Sequence, residues 1–226
     1  MLDKYNIYEL SKKNCVNSIY KGIHKKTFKE VIIKFSSDNN TEILLKNEIH
    51  IYLYLKKRNY KYIPPILNIG QHKGYTYIIT KYMGDILQDI NENIIVQLFN
   101  ILKTLHNLSI LHRDIKPENF LIYNNKVYII DFGLSTIEND DIMRSEIGNW
   151  KYCSPYILRD KYIYRKEDDI ISLIFMIFDL YNGYIPWDKH NYKNKSVKQL
   201  SYRSDKINIF LYKLLKQTIT TRENKL

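Results

Sequence analysis

The chain is short of cysteine, of uninterrupted apolar sequence and of acid. Of its 226 residues only Cys15 and Cys153 are cysteines. Two thiols make no disulfide framework, and a reduced, intracellular setting is expected. The longest apolar run, 170–178, contains Ser172 and stops at Asp179, too short to span a bilayer. The opening MLDKYNIYELSKK is too polar for a signal peptide, so no membrane partner is expected. The histidines and cysteines show no metal-ligand spacing. Acidic residues number 24 against 35 basic ones, a net charge of +11, which favours acidic partners in general. The basic residues are scattered through a chain rich in Lys, Asn, Ile and Tyr, without a nucleic-acid-binding motif, so nucleic acid is not an expected partner. That composition fits an AT-rich genome. What the chain does have is a 45% hydrophobic fraction, enough for one core or two small lobes.

The most informative stretch is 111–121, LHRDIKPENFL. Its polar groups follow neither a helical nor a strand period, and Pro117 discourages a helix through it. It reads as a loop between two apolar elements, with Asp114, Lys116 and Asn119 facing one site. FLIYNNKVYIIDFG follows. Phe120–Tyr123 and Lys126–Ile130 are strand-like, and Asn124-Asn125 makes a two-residue turn needing positive φ. Pairing Tyr123 with Lys126 puts Asn119 opposite Ile130, beside Asp131. Two oxygen side chains then share one end of the hairpin, the ligand type Mg²⁺ takes together with phosphate oxygens and water. Asp114 reaches the same place and can orient an incoming hydroxyl or accept its proton.

HRDIKPEN followed by DFG at this spacing resembles the catalytic loop and metal-binding segment of eukaryotic-type protein kinases. The resemblance covers about Tyr5 to Trp187. It implies Asp114 as catalytic base, Asn119 and Asp131 as Mg²⁺ ligands, and Lys116, as in serine/threonine kinases, neutralising charge on the transferred phosphoryl group. DDIISL, Ile185-Pro186-Trp187, NFLI and Tyr82-Met83-Gly84-Asp85 resemble the casein kinase I group in particular. The implied fold is α+β and two-lobed: a small antiparallel lobe over 1–82, with five strands and one helix, and a larger, mainly helical lobe over 83–226, shortened at its C-terminal end. So compact a form suits a viral or parasite kinase.

In the implied small lobe, VIIKF over 31–35 resembles the third strand, with the phosphate-binding lysine at Lys34. A lysine inside an apolar strand needs a partner. The helix from Asn40, capped by an Asn or Thr, offers Glu48, set in a stripe with Leu45, Ile49 and Tyr52. Glu42, on the first turn, is attributed to the helix dipole. The family's glycine-rich loop aligns with Lys12, Asn14 and Asn17, none of them glycine; Asn enters left-handed backbone more readily than most residues, and Lys12 can reach a phosphate. A hairpin over 66–82 leads to Thr80 as gatekeeper and to the backbone of Lys81 and Met83 for adenine. Asp89 is either a ribose ligand or a solvated helix acid.

In the implied large lobe, a helix over 91–106 carries Ile95, Leu98, Phe99, Leu102 and Leu105 inward. His106 and His112 read as structural. The activation segment runs from Asp131 to Pro155. In it Ser135, Thr136 and Ser145 are candidate phosphoacceptors that Arg113 can hold, and Glu138, Asp140 and Asp141 can occupy that arginine instead. Asp169, at the start of a buried helix, is expected to receive backbone donors from the catalytic loop. A last helix over 207–221 turns Phe210, Leu211, Leu214 and Leu215 inward. Ser154-Pro155-Tyr156 stands where many kinases have Ala-Pro-Glu, so Arg222 is expected to lack its acidic partner. The function implied is a serine/threonine protein kinase using ATP and Mg²⁺ on protein substrates. The alternatives are a nucleotide-binding pseudokinase acting as scaffold, and a small-molecule phosphotransferase, which Lys116 and the long activation segment disfavour.

Overall fold

A computed structural model describes residues 2–9, 18–137, 149–158, 163–187 and 205–224. The chain forms two compact units. The first comprises Met1–Gly84 and Tyr128–Leu134, the second Asp85–Val127 and Ser135–Leu226.

In the first unit, β1 (Tyr5–Glu9), β2 (Ser18–His24), β3 (Glu30–Phe35), β4 (Ile66–His72) and β5 (Tyr75–Lys81) form one antiparallel sheet in the order β1-β2-β3-β5-β4. Strand alternation divides β3 between two faces. Val31, Ile33 and Phe35 join Leu2, Tyr5, Tyr20, Tyr77 and Ile79 in an aromatic-rich cluster, while Lys34 points the other way, to α1 (Asn39–Lys57). The β4–β5 turn is Lys73-Gly74, both at positive φ.

Helix α1 starts earlier than the sequence suggests. Its N-cap is Asp38, whose Oδ1 accepts from Thr41 N while Thr41 Oγ1 accepts from Asp38 N, both at 2.9 Å. Asp38 takes the position expected of Asn or Thr because it caps and its charge complements the helix dipole. Ile51 is buried where Ile49 was expected, Ile49 being half-buried. Glu42 does more than answer the dipole. Its carboxylate accepts from Ser36 Oγ (2.5 Å) and Thr76 Oγ1 (2.6 Å), tying α1 to the sheet, and pairs with Lys46 at 3.0 Å. The Ser36 and Thr76 hydroxyls pull its pKa down to about 2.

In the second unit, β6 (Asp85–Ile86) pairs with β8 (Phe120–Tyr123), and β7 (Ile110–Leu111) with β10 (Thr136–Ile137). β9 (Lys126–Ile129), whose last two residues count with the first unit, follows β8 through Asn124-Asn125, whose φ values of 50° and 59° are those of the tight hairpin turn read from the sequence. Helix α2 (Glu92–Asn107) is capped by Asn91 and buries Ile94, Ile95, Leu98, Ile101, Leu102 and Leu105. Helix α3 (Lys166–Asn182) is buried nearly all round and ends at Gly183, whose φ of 79° suits glycine. Helix α4 (Lys206–Glu223) turns Asn208, Leu211, Leu215, Thr218 and Arg222 inward. Phe210, expected inside, is 53% exposed and meets Phe99 edge-on. The inward stripe was misread because three of its members are polar.

Candidate active site

In the first unit, Lys34, Glu48 and Asp131 form a charged cluster. β3 delivers Lys34 and α1 delivers Glu48; Lys34 Nζ lies 2.6 Å from Glu48 Oε2 and 3.0 Å from Asp131 Oδ1. Burial favours a neutral lysine, but the Glu48 and Asp131 charges outweigh it and raise the Lys34 pKa, so the ammonium stays charged. Burial lifts the Glu48 carboxyl to about 7, with the Lys34 charge pulling the other way. Asp131 is the more open member, its side chain 40% exposed. Its φ of 63° is left-handed, a conformation a non-glycine residue holds only where its surroundings impose it. Those surroundings are visible. Phe132 is fully buried edge-on against Tyr52 of α1, and Asn47 Nδ2 donates to the carbonyls of Phe132 (3.2 Å) and Gly133 (2.9 Å).

The second unit holds another cluster. Asp114 is 5% exposed. Its Oδ2 accepts from Lys116 Nζ at 2.5 Å and from Asn119 Nδ2 at 3.0 Å; Asn119 Nδ2 also donates to the Asp114 carbonyl at 2.7 Å. Asp114 Oδ1 is buried with no hydrogen-bond partner among the described residues. A buried carboxylate oxygen left without a donor is costly, and its complement is a hydrogen-bond donor. The loop is fixed from below by Asp169 of α3, whose carboxylate accepts from His112 N and Arg113 N, each at 2.9 Å. His106 Nε2 lies 2.9 Å from the same carboxylate and Tyr164 Oη donates to it at 2.7 Å. Burial would raise the Asp169 pKa, but the hydrogen bond from His106 and the charges of His106 and His112 hold it low. Arg113, between these anchors, has a φ of 69°.

Residues 15–224 match the protein kinase domain family. The chain belongs to the protein kinase family. It is 27% identical over 208 residues to a probable serine/threonine-protein kinase 2 of Plasmodium falciparum, covering 83% of this chain and 40% of that protein. It is 29% identical over 159 residues to calcium/calmodulin-dependent protein kinase type 1 of Caenorhabditis briggsae and of Caenorhabditis elegans, covering 63% of this chain and 44% of each. The chain thus spans less than half the length of these curated relatives. None of the three bears a casein kinase name, so that narrower affinity is not supported.

Other residues singled out for kinase function are distributed as follows. Lys12, Asn14 and Asn17, aligned with the glycine-rich loop, lie outside the described residues, as do Glu138, Asp140, Asp141 and Ser145. Lys81 N donates to Pro65 O at 2.9 Å, and Met83 is 4% exposed. Asp89 is exposed and precedes α2 rather than lying on a helix. Ser135 is no surface phosphoacceptor: it is 1% exposed and its Oγ donates to His112 O at 3.1 Å.

Arg222 does not lack an acid. Fully buried, it donates through Nε to Asp168 Oδ2 at 3.2 Å and through Nη2 to Ile163 O at 2.8 Å. Tyr156 lies beside it, ring centroid 5.4 Å from the guanidinium, and its hydroxyl donates to Glu223 Oε1 at 2.9 Å. Asp168 thus supplies the charge expected to be missing at Tyr156. Adjacent acids on one helix turn serve two purposes, Asp168 holding α4 and Asp169 the catalytic loop. Sequence reasoning missed Asp168, Asn47 and Tyr164. For Asp168 the doubled acid in KEDDIISL was the signal; for the other two no local pattern marks them.

Proposed function

We propose that the chain is a serine/threonine protein kinase that transfers the γ-phosphoryl group of ATP to a protein hydroxyl, with Asp114 receiving that hydroxyl. The observation that carries this is the Asp114 carboxylate: one oxygen is held by Lys116 and Asn119, and the other is buried without a partner. An acceptor so oriented aligns an Oγ–H for attack on the γ-phosphorus. The new P–O bond forms as the bond to the β–γ bridging oxygen breaks, and the hydroxyl proton passes to the carboxylate. Lys116, bonded to Asp114, is the cation assigned to offset negative charge at the transferred group. Lys34, positioned by Glu48, is the cation assigned to the nucleotide phosphates, and the backbone of Lys81 and Met83 is assigned to adenine.

Asn119 and Asp131 fit Mg²⁺ by donor chemistry. Both offer hard oxygen ligands, and Asn119 spends its amide N–H groups on Asp114, which leaves its carbonyl for a cation. Among the described residues no group of three His, Cys, Asp or Glu could hold a metal by itself, in keeping with an ion that depends on nucleotide oxygens. When bound, the ion would neutralise phosphate charge.

Serine/threonine preference rests on Lys116 and on the similarity to the probable serine/threonine-protein kinase 2 of Plasmodium falciparum. A protein substrate and an intracellular setting follow from the same reading. The test is radiolabelled ATP·Mg²⁺ with the purified chain and generic protein substrates, followed by phosphoamino-acid analysis. Label on serine and threonine, lost in Asp114→Asn while nucleotide binding persists, is expected. Label surviving in Asp114→Asn, or turnover of a metabolite without protein labelling, overturns the assignment.

A further inference from the structure

The turn joining β2 to β3 reads HKKTFKE. Phe28 within it has a φ of 55° and is 78% exposed, the most exposed large apolar side chain among the described residues. Eight described non-glycine residues have positive φ, and the other seven are polar or charged. A bulky aromatic in left-handed backbone is strained, and glycine would occupy this position at no steric cost. The turn is not loose. Phe28 N donates to His24 O (2.8 Å) and His24 N to Lys29 O (2.9 Å). His24 Nδ1 accepts from Lys26 N and Thr27 N, each at 3.2 Å, and the imidazole packs edge-on against Tyr5. The aromatic ring is therefore held outward by an ordered frame.

Around it stand Lys25, Lys26 and Lys29, all exposed, and Lys4, also exposed, whose carbonyl accepts from Lys25 N at 2.8 Å. The acids nearby are Asp3 and Glu30, the latter engaged by Lys21 at 2.5 Å. Three lysines of the turn thus flank one outward aromatic, and Lys4 is joined to them through Lys25.

We infer that this turn is a peripheral membrane contact, Phe28 entering the headgroup–acyl boundary of an anionic bilayer while Lys4, Lys25, Lys26 and Lys29 bind its surface charge. Chemistry favours lipid over an acidic protein. Lysines are compact point charges without the planar fork that grips a carboxylate in two places, and a protein partner would need a pocket cut to Phe28, whereas a bilayer interface accepts an aromatic from any projecting tip. Each lysine near an anionic surface is worth about fivefold in partitioning. Sequence reading excluded a membrane-spanning segment, and no described helix is long and apolar enough to cross a membrane; peripheral contact is a separate matter.

The test is co-sedimentation of the full chain with vesicles of phosphatidylcholine alone and with about one-third phosphatidylserine. Partitioning at least about tenfold stronger onto the anionic vesicles, falling as salt rises, is expected. Phe28→Gly relieves the backbone, so its melting temperature should match or exceed the parent's while its partitioning drops by about tenfold. Lys25→Glu/Lys26→Glu/Lys29→Glu should bind no better than to neutral vesicles, and Phe28→Trp should blue-shift its emission on anionic vesicles relative to the parent. Equal binding to both vesicle types, undiminished binding by Phe28→Gly, or capture by an immobilised acidic polypeptide without any vesicle binding would overturn the inference.

Discussion

At the scale of single residues, the reading rests on Asp114 and on the Lys34–Glu48 pair. Asp114→Asn keeps the hydrogen-bond geometry of Oδ2 in part but removes the base, so phosphoryl transfer should fall by about 10²–10⁴-fold with the ATP affinity little changed. Steady-state kinetics over an ATP series separates the two. Glu48→Ala strips Lys34 of one partner while Asp131 stays at 3.0 Å; chemical denaturation should show a loss of about 1.5–3 kcal/mol. These residues were legible because their surroundings contradict them: a lysine in an apolar strand, an acid in an apolar stripe, a cluster of charges with no period. Asn47 was not legible, because an asparagine facing backbone carbonyls leaves the same trace as one facing water. Ser135 looked like an accessible hydroxyl for the same reason, and only its burial shows otherwise.

At the scale of elements, α1 and α4 carry the tests. Glu42 links α1 to the sheet through Ser36 and Thr76. Its folded pKa of about 2 lies below its ordinary 4.5, so the stability it contributes is present above pH 4.5 and lost as pH falls through about 2. Thermal melts across that window should show a steeper acid loss for the parent than for Glu42→Gln; parallel curves would contradict the link. Arg222→Met removes the guanidinium bound to the buried Asp168 and should cost about 3–5 kcal/mol, whereas Arg222→Met with Asp168→Leu should recover most of it. Denaturant midpoints of the two variants measure this. Strands and hairpin turns were legible because alternation and Asn-Asn or Lys-Gly turns are local signals. Helix caps and polar core positions were less so. Asp38 was passed over for its neighbours, and Phe210 was placed inside on apolarity alone, while Asn208 and Arg222 took the buried stripe.

At the scale of the molecule, the match to the protein kinase domain runs over 15–224, while the chain covers only 40–44% of the relatives' lengths. Family and lobe architecture were legible from two motifs, since the DFG and HRDIKPEN segments fix which secondary elements must surround them. Subgroup was not, because the DDIISL and Ile185-Pro186-Trp187 similarities concern packing in a helical lobe rather than the reacting groups. The net charge of +11 read as scattered in sequence, yet three of its lysines flank Phe28 on one turn. The central claim is transfer of a phosphoryl group through Asp114, and it is tested most directly by single-turnover labelling from ATP·Mg²⁺, comparing the parent chain with Asp114→Asn and Lys34→Met. The account predicts label on protein serine and threonine for the parent and loss of about 10²-fold or more in both variants. Equal labelling by all three, or ATP·Mg²⁺ bound by the parent without any transfer, would contradict it.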